Sequence, residues 1–199
     1  MTAPGEPRRR RRADAERSRT AILDAAVRLL RQRPDAGMEA IATEAGVTRQ
    51  TVYAHFSSRE ALLAATVDRI TEGAVAAMEA ARLDEGPAAA ALTRFLDVSW
   101  HFFEDNAPLL GAVSADAADE DERARHEPVI GRLGRLVERG QKAGEFAADL
   151  PPHWLVAMTV ALGHAAGDEV NSGRMTNSRA RAALRTTVFR VLGAAEDVS

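Results

Sequence analysis

The chain has no cysteine, one tyrosine, two tryptophans and a single lysine, Lys142, against 25 arginines. Without cysteine there is no disulfide, no thiolate metal site and no cysteine nucleophile, although any redox compartment remains open. No apolar run approaches the roughly 18 residues of a membrane span, and the charged N-terminus has no apolar segment behind it. Neither a membrane anchor nor a signal peptide is expected, and a soluble cytoplasmic protein follows. No alternating strand pattern occurs, so no glycine-rich loop follows a strand. No serine or histidine stands in a nucleophile-elbow setting either. Catalysis and a bound cofactor are therefore not expected.

What is present is helical. The 199 residues, 46% hydrophobic, suffice for one large domain or two small ones. Charge divides them unevenly: residues 1–64 hold twelve arginines against eight acids, a net +4, whereas residues 65–199 hold fourteen basic against twenty-one acidic residues, a net −7. A basic first part facing a polyanion and an acidic remainder with another task fit that division; a genome that favours arginine fits it too.

The opening MTAPGEPRRRRRAD is polar, holds two prolines and reads as a flexible arm, residues 1–14. Apolar residues then recur at helical spacing through Ile22, Ala26 and Leu30 until Pro34. A second short helix carries Met38, Ile41 and Ala42 and closes at Gly46; Thr48 caps a third that runs to about His55. Ser57 and Glu60 have capping-box spacing and open a long fourth helix. Further helices follow over Leu92–Phe103, a short one over Asn106–Val113, then Val129–Ala143, Pro152–Gly173 and Thr176–Leu192. The reading is an all-α chain of about nine helices, with a three-helix segment over 15–64 and a larger helical part over 65–199.

Two short helices joined by a glycine turn, the second rich in polar side chains, have the form of a helix-turn-helix. Val47, Val52 and Phe56 fall on one side of the third helix, toward Ile41, Ala42 and Ala45 of the second and Ile22 and Ala26 of the first. Arg49, Gln50, Thr51, Tyr53 and His55 are left toward water. A major groove about 12 Å wide admits such a helix, where arginine suits guanine, glutamine suits adenine, and hydroxyls and imidazole suit phosphate oxygens.

The runs RTAILDAAVRLL and IATEAGVTRQTVYAHFSSREALL resemble the N-terminal domain of TetR-type transcriptional regulators over roughly residues 17–64. The resemblance implies base contacts from Arg49 and Gln50 and phosphate contacts from Thr48, Thr51, Tyr53, His55 and Arg59. The family usually places threonine just before the second helix; Ala36-Gly37 stand there, so that contact is not expected. Arg8–Arg12 either lie in the neighbouring minor groove or remain a solvated charge run.

In the acidic part, the helix from Pro152 has two apolar stripes. Trp154, Leu155, Met158, Leu162 and Ala165 form one, expected to face the helix's own core. Val156, Val160, Gly163, Gly167 and Val170 form the other, suited to close approach of a neighbouring helix. The resemblance implies that the last two helices pair with those of a second subunit, with Leu184, Val188 and Val191 completing a homodimer that binds a near-palindromic operator. It also implies a ligand-responsive repressor with a pocket for a small apolar effector. Candidate lining residues are Trp100, His101, Phe103, Leu110, His126, Trp154, Met158 and His164, although such residues also suit plain core. Asp119, Glu122 and His126 have metal-ligand spacing but lie in a charged, solvated stretch, so no metal is expected. The competing reading is a helical protein–protein adaptor without DNA binding.

Overall fold

A computed structural model of the chain describes residues 6–114 and 119–194, and every regular element among them is a helix. The eight are α1 (Glu6–Gln32), α2 (Met38–Glu44), α3 (Arg49–His55), α4 (Arg59–Ala80), α5 (Ala88–Ser114), α6 (Asp119–Lys142), α7 (Pro152–Asn171) and α8 (Asn177–Val191). The all-α expectation holds, with three differences in extent. First, α1 starts at Glu6, inside the segment read as a flexible arm. Arginine is a good helix former, and Pro7 sits in the first turn, where its missing N–H is not needed. Second, the short helix expected over Asn106–Val113 is the continuation of α5, because the Asn106 side chain donates back to the Phe102 carbonyl at 2.7 Å instead of capping a new helix. Third, α6 begins ten residues before Val129 and keeps Pro128 in its interior. Proline deletes one N–H while its φ stays helical, so the helix need not end there.

The chain divides into two compact units, one of residues up to Ile70 with Pro108–Asp116, the other of Thr71–Ala107 with Ala117–Ser199. In the first, α2 packs on α1 and α3, and α1 also meets α3. Ile22, Ala26 and Leu30 of α1, Ile41 of α2 and Val52 of α3 are all buried to within 1%. Ion pairs Arg28–Glu44 (3.3 Å) and Arg69–Asp24 (3.1 Å) tie α1 to α2 and α4 at the surface; such exposed pairs contribute little stability.

In the second unit, Leu92, Phe95, Leu96 and Trp100 of α5 share one core with Leu133 and Val137 of α6, Leu155 and Val156 of α7, and Leu184, Val188 and Phe189 of α8. Helix ends are closed by long-range partners. Glu145 accepts the Ala89 N–H at 2.9 Å in the first turn of α5. Donation from the Ala88 and Ala89 N–H groups holds the Glu145 carboxyl below its usual range, so this cap weakens only once the pH has fallen below that of an ordinary glutamate. Arg94 donates to the carbonyls of Ala81, Arg82 and Glu85, and Arg139 to those of Leu83 and Gly86. Together they fix the turn between α4 and α5.

Two glycines of α6 separate space from propensity. A Cβ on Gly140 would run into the Phe146 ring, whereas one on Gly134 meets nothing within 4 Å. Alanine in a helix is favoured over glycine by about 1 kcal/mol, but overpacking costs about 1–3 kcal/mol. Gly140→Ala is therefore expected to lower the urea midpoint and Gly134→Ala to raise it slightly, as followed by circular dichroism.

Candidate nucleic-acid interface

The turn between α2 and α3 is built by the backbone. The Val47 N–H bonds the Ala42 carbonyl at 3.0 Å and the Gly46 N–H bonds that of Thr43 at 3.1 Å, with Gly46 at φ +67°. This paired closure needs a left-handed residue after the helix, which glycine adopts without a Cβ penalty. Thr48 then caps α3, its hydroxyl accepting the Thr51 N–H at 3.1 Å and lying 2.8 Å from the Thr51 hydroxyl. If Thr51 donates to Thr48, the Thr48 hydroxyl proton is left pointing outward.

Val52 is fully buried and Phe56, the residue after α3, is 4% exposed. Thr48, Arg49, Gln50 and Tyr53 are exposed, while Thr51 and His55 are half-buried. Tyr53 is 43% exposed, one of three large apolar side chains left in solvent among the described residues. The Arg49 guanidinium lies 5.4 Å from the Tyr53 ring centroid, one helical turn away. Interaction with Tyr53 first, and with Glu39 to a lesser degree, pushes Arg49 further above its ordinary pKa. Arg49 is thus a permanent cation aligned along the outer edge of α3. At the other end of α3, Arg19 of α1 sits 5.1 Å over the Phe56 ring.

Arg59 is placed differently from the rest. Its Nη2 donates to the Pro34 carbonyl at 2.8 Å and its Nε points to that of Ala36 at 3.5 Å. α2 has Gly37 at its cap position with no side-chain hydrogen bond, so Arg59 holds from outside the loop that lacks its own cap. Sequence reasoning missed this role because the partners are carbonyls 23 and 25 residues away. The cap of α4 also shifts by one: Ser58, rather than Ser57, accepts the Ala61 N–H at 3.2 Å.

The described residues considered for a ligand pocket differ in exposure. Trp100 is buried and meets Phe103 in a tilted contact, 5.3 Å between ring centroids, and its Nε1 has no hydrogen-bond partner among the described residues. Met158 is half-buried, but Trp154 is 51% exposed and His101 and His164 face solvent. The side chains of Leu110 and His126, like those of Asp119 and Glu122, lie outside the described residues. Among the described residues no group of three acids or histidines has metal-binding geometry. A separate polar groove of about 620 Å³ between α5 and α8 is lined by Asp97, Glu104, Asn177, Arg181 and Arg185; its Arg181–Asp97 pair spans 2.9 Å.

Both stripes of α7 supply this chain's own core: Leu155 of the first is buried and Leu162 packs against the same core, as expected, but much of the second stripe does so too. Val156 and Gly167, with Leu184 and Val188 of α8, are buried inside this subunit, and Val160, Val170 and Val191 pack against the same core. Gly163 is half-buried with nothing within 4 Å of its Cβ position. A Cβ on Gly167 would come 2.9 Å from Cε2 of Phe103, so this glycine admits the chain's own aromatic ring rather than a partner helix. Trp154, Ala157, Ala161 and Ala165 are the exposed apolar positions of α7. Spacing revealed two apolar faces but not that the protein covers much of both itself.

A pure phosphate contact at position 59 would leave the unbound protein indifferent to substitution. We expect Arg59→Ala to lower the unfolding free energy by about 1 kcal/mol, with Arg59→Lys recovering only part because one ammonium cannot span both carbonyls. Denaturant titration without DNA checks this; equal stability of all three proteins contradicts it.

Residues 22–66 match the sequence pattern of the family described as "Bacterial regulatory proteins, tetR family", a stretch that contains all seven side chains considered for DNA contact. The HTH-type transcriptional repressor LfrR of Mycolicibacterium smegmatis is 42% identical over 82 residues, 41% of this chain and 43% of LfrR. The match thus spans less than half of that relative. The crystal structure of LfrR in complex with proflavine covers 86% of this chain and 95% of its own, with TM-score 0.58 and 29% identity. A TetR-family regulator structure from Rhodococcus sp. superposes over 88% of this chain and 99% of its own with TM-score 0.73; at 21% identity it speaks for the fold. No described helix is long and apolar enough to cross a membrane. The helix-turn-helix geometry, the match over residues 22–66 and the shared helical architecture make this chain similar to the tetR family of bacterial transcriptional regulators.

Proposed function

We propose that the chain binds a near-palindromic DNA operator as a homodimer, reading bases with Arg49 and Gln50 and gripping phosphates with Thr48, Thr51, Tyr53 and His55. The observation that carries this reading is the split of α3 into a buried edge, Val52 and Phe56, and a solvent edge on which Arg49, Gln50 and Tyr53 stand together. Such an edge offers a bidentate donor for guanine and a donor–acceptor pair for adenine. Arg59 acts mainly by holding the 34–36 loop, with one guanidinium nitrogen left for a phosphate. In a two-fold dimer the two α3 helices would stand about 34 Å apart, one turn of the duplex. The face available for the second subunit is the exposed Trp154, Ala157, Ala161 and Ala165 row of α7, whose alanines allow a partner helix to approach.

A small-molecule effector bound in the second unit would complete a regulator of this type. The buried Trp100 indole, with an N–H that has no partner among the described residues and Phe103 against its ring, supports an effector that combines an apolar face with a hydrogen-bond acceptor. An effector that binds the form with poorly spaced α3 helices would release the operator by population shift. The LfrR structure holds proflavine, which makes proflavine a rational first probe.

Two experiments test the reading. Duplexes recovered from a random pool by the full chain should be retarded in gels in a salt-sensitive way, and Arg49→Ala should weaken retention by about ten- to a hundredfold, as expected for the loss of about 1–3 kcal/mol from one bidentate base contact. An adaptor with no use for DNA would enrich no sequence. In a Trp154→Phe background only Trp100 reports fluorescence. Saturable quenching by proflavine or another apolar compound, at concentrations that also release DNA, is expected; a flat response across such compounds contradicts the effector.

A further inference from the structure

α1 is 27 residues long, but its buried residues begin only at Ile22. The sixteen residue steps from Glu6 to Ile22 extend about 24 Å along the helix axis. Residues 10–17 are all exposed, and among the described residues no side chain meets Arg10, Arg11 or Arg12. A helix carried this far past its core, with five consecutive arginines at 8–12, has like charges at i,i+3 and i,i+4 that destabilise it when it stands alone.

The register of these arginines links them to α3. Counting back from Ile22 by threes and fours along the side of α1 that carries the core, the positions met are 19, 15, 12 or 11, and 8. Arg19 is the first, and its guanidinium already rests on Phe56 at the end of α3. Positions 11 and 12 therefore stand on the α3 side of α1, about two turns beyond Arg19 and past the last covered residue. Position 10 stands on another side. Along one face of one helix, apolar groups that meet protein give way to arginines that meet solvent.

We propose that the N-terminal extension of α1 is a helical phosphate clamp, in which Arg11 and Arg12 grip the DNA backbone flanking the segment read by α3. This rests on the DNA-binding reading above and changes the role of the basic segment. A helix about 10–12 Å across with its side chains does not enter a minor groove about 6 Å wide. The contact is therefore with phosphates along the outside of the duplex, independent of sequence, and not with the groove floor. Phosphates would also relieve the repulsion among the arginines.

The test uses full-length protein and a 40-base-pair duplex recovered by that protein from a random pool, with affinity measured by fluorescence anisotropy across a salt series. The combined Arg11→Ala, Arg12→Ala variant is expected to make the plot of log affinity against log salt shallower by about 1.8 per chain, roughly 0.9 for each phosphate no longer gripped. Arg10→Ala should leave the slope unchanged, and trimming the flanking base pairs should reproduce the effect of the double variant. Since these positions touch no core residue, all variants should melt with the full chain. An unchanged slope in the double variant overturns the clamp, as does an equal loss in Arg10→Ala, which would mean diffuse charge rather than a sided grip. Loss of binding to phosphatidylglycerol vesicles with no change on DNA would assign the segment to a membrane surface and also overturn it. Failure of the unaltered chain to retain any duplex refutes the DNA-binding reading itself, before a variant is made.

Discussion

Everything at the DNA-facing end depends on the seam where Val52 and Phe56 enter the groove between α1 and α2. A seven-residue helix has too few internal hydrogen bonds to persist alone; α3 exists because its apolar edge is covered and Thr48 closes its first turn. With Val52 buried where α3 packs on α1 and α2, the helix cannot rotate about its axis without exposing it. The direction of Arg49, Gln50 and Tyr53 is then set by packing rather than by any contact of their own. Orientation of the polar edge is thus a property of the core.

A second constraint is chemical. A chain with 25 arginines and one lysine uses the guanidinium fork as a fastener. Arg59 holds Pro34 and Ala36, Arg94 holds three carbonyls between Ala81 and Glu85, and Arg139 holds Leu83 and Gly86. Each meets carbonyls at helix ends or in turns, outside the regular helical hydrogen-bond ladder. An ammonium could not reach several at once with fixed geometry. The arginine surplus therefore serves two ends: structural clamps in both units, and free cations on α3 and the start of α1.

This division explains which parts were legible beforehand. The three-helix segment could be read because its signals are local: Pro34, Gly46 and Thr48 punctuate it, and Val52 with Phe56 repeats at helical spacing. The role of Arg59 could not, since its partners are backbone atoms distant in sequence and every residue type has a carbonyl. Nor could the facing of α7, where two apolar stripes satisfy the same periodicity and both supply core residues, Leu155 and Leu162 from one and Val156 and Gly167 from the other. The direction of His101 was not legible either, because side-chain type says nothing about direction; it points outward toward Asp105 at 3.7 Å. The basic arm looked flexible because it buries nothing, yet its composition favours a helix, and only the length of α1 brings its register into line with Arg19.

The most direct test of the claim that packing aims the polar edge of α3 at a duplex is photocrosslinking. A benzophenone amino acid placed at position 53, where an exposed ring already stands, is predicted to crosslink to a duplex recovered by the chain, and to lose that crosslink when Val52→Asp unseats the helix. The same group at position 154, on the outer face of α7, is predicted to give no DNA adduct. Crosslinking from position 154 but not from position 53, or adducts at position 53 that survive Val52→Asp, would contradict the account.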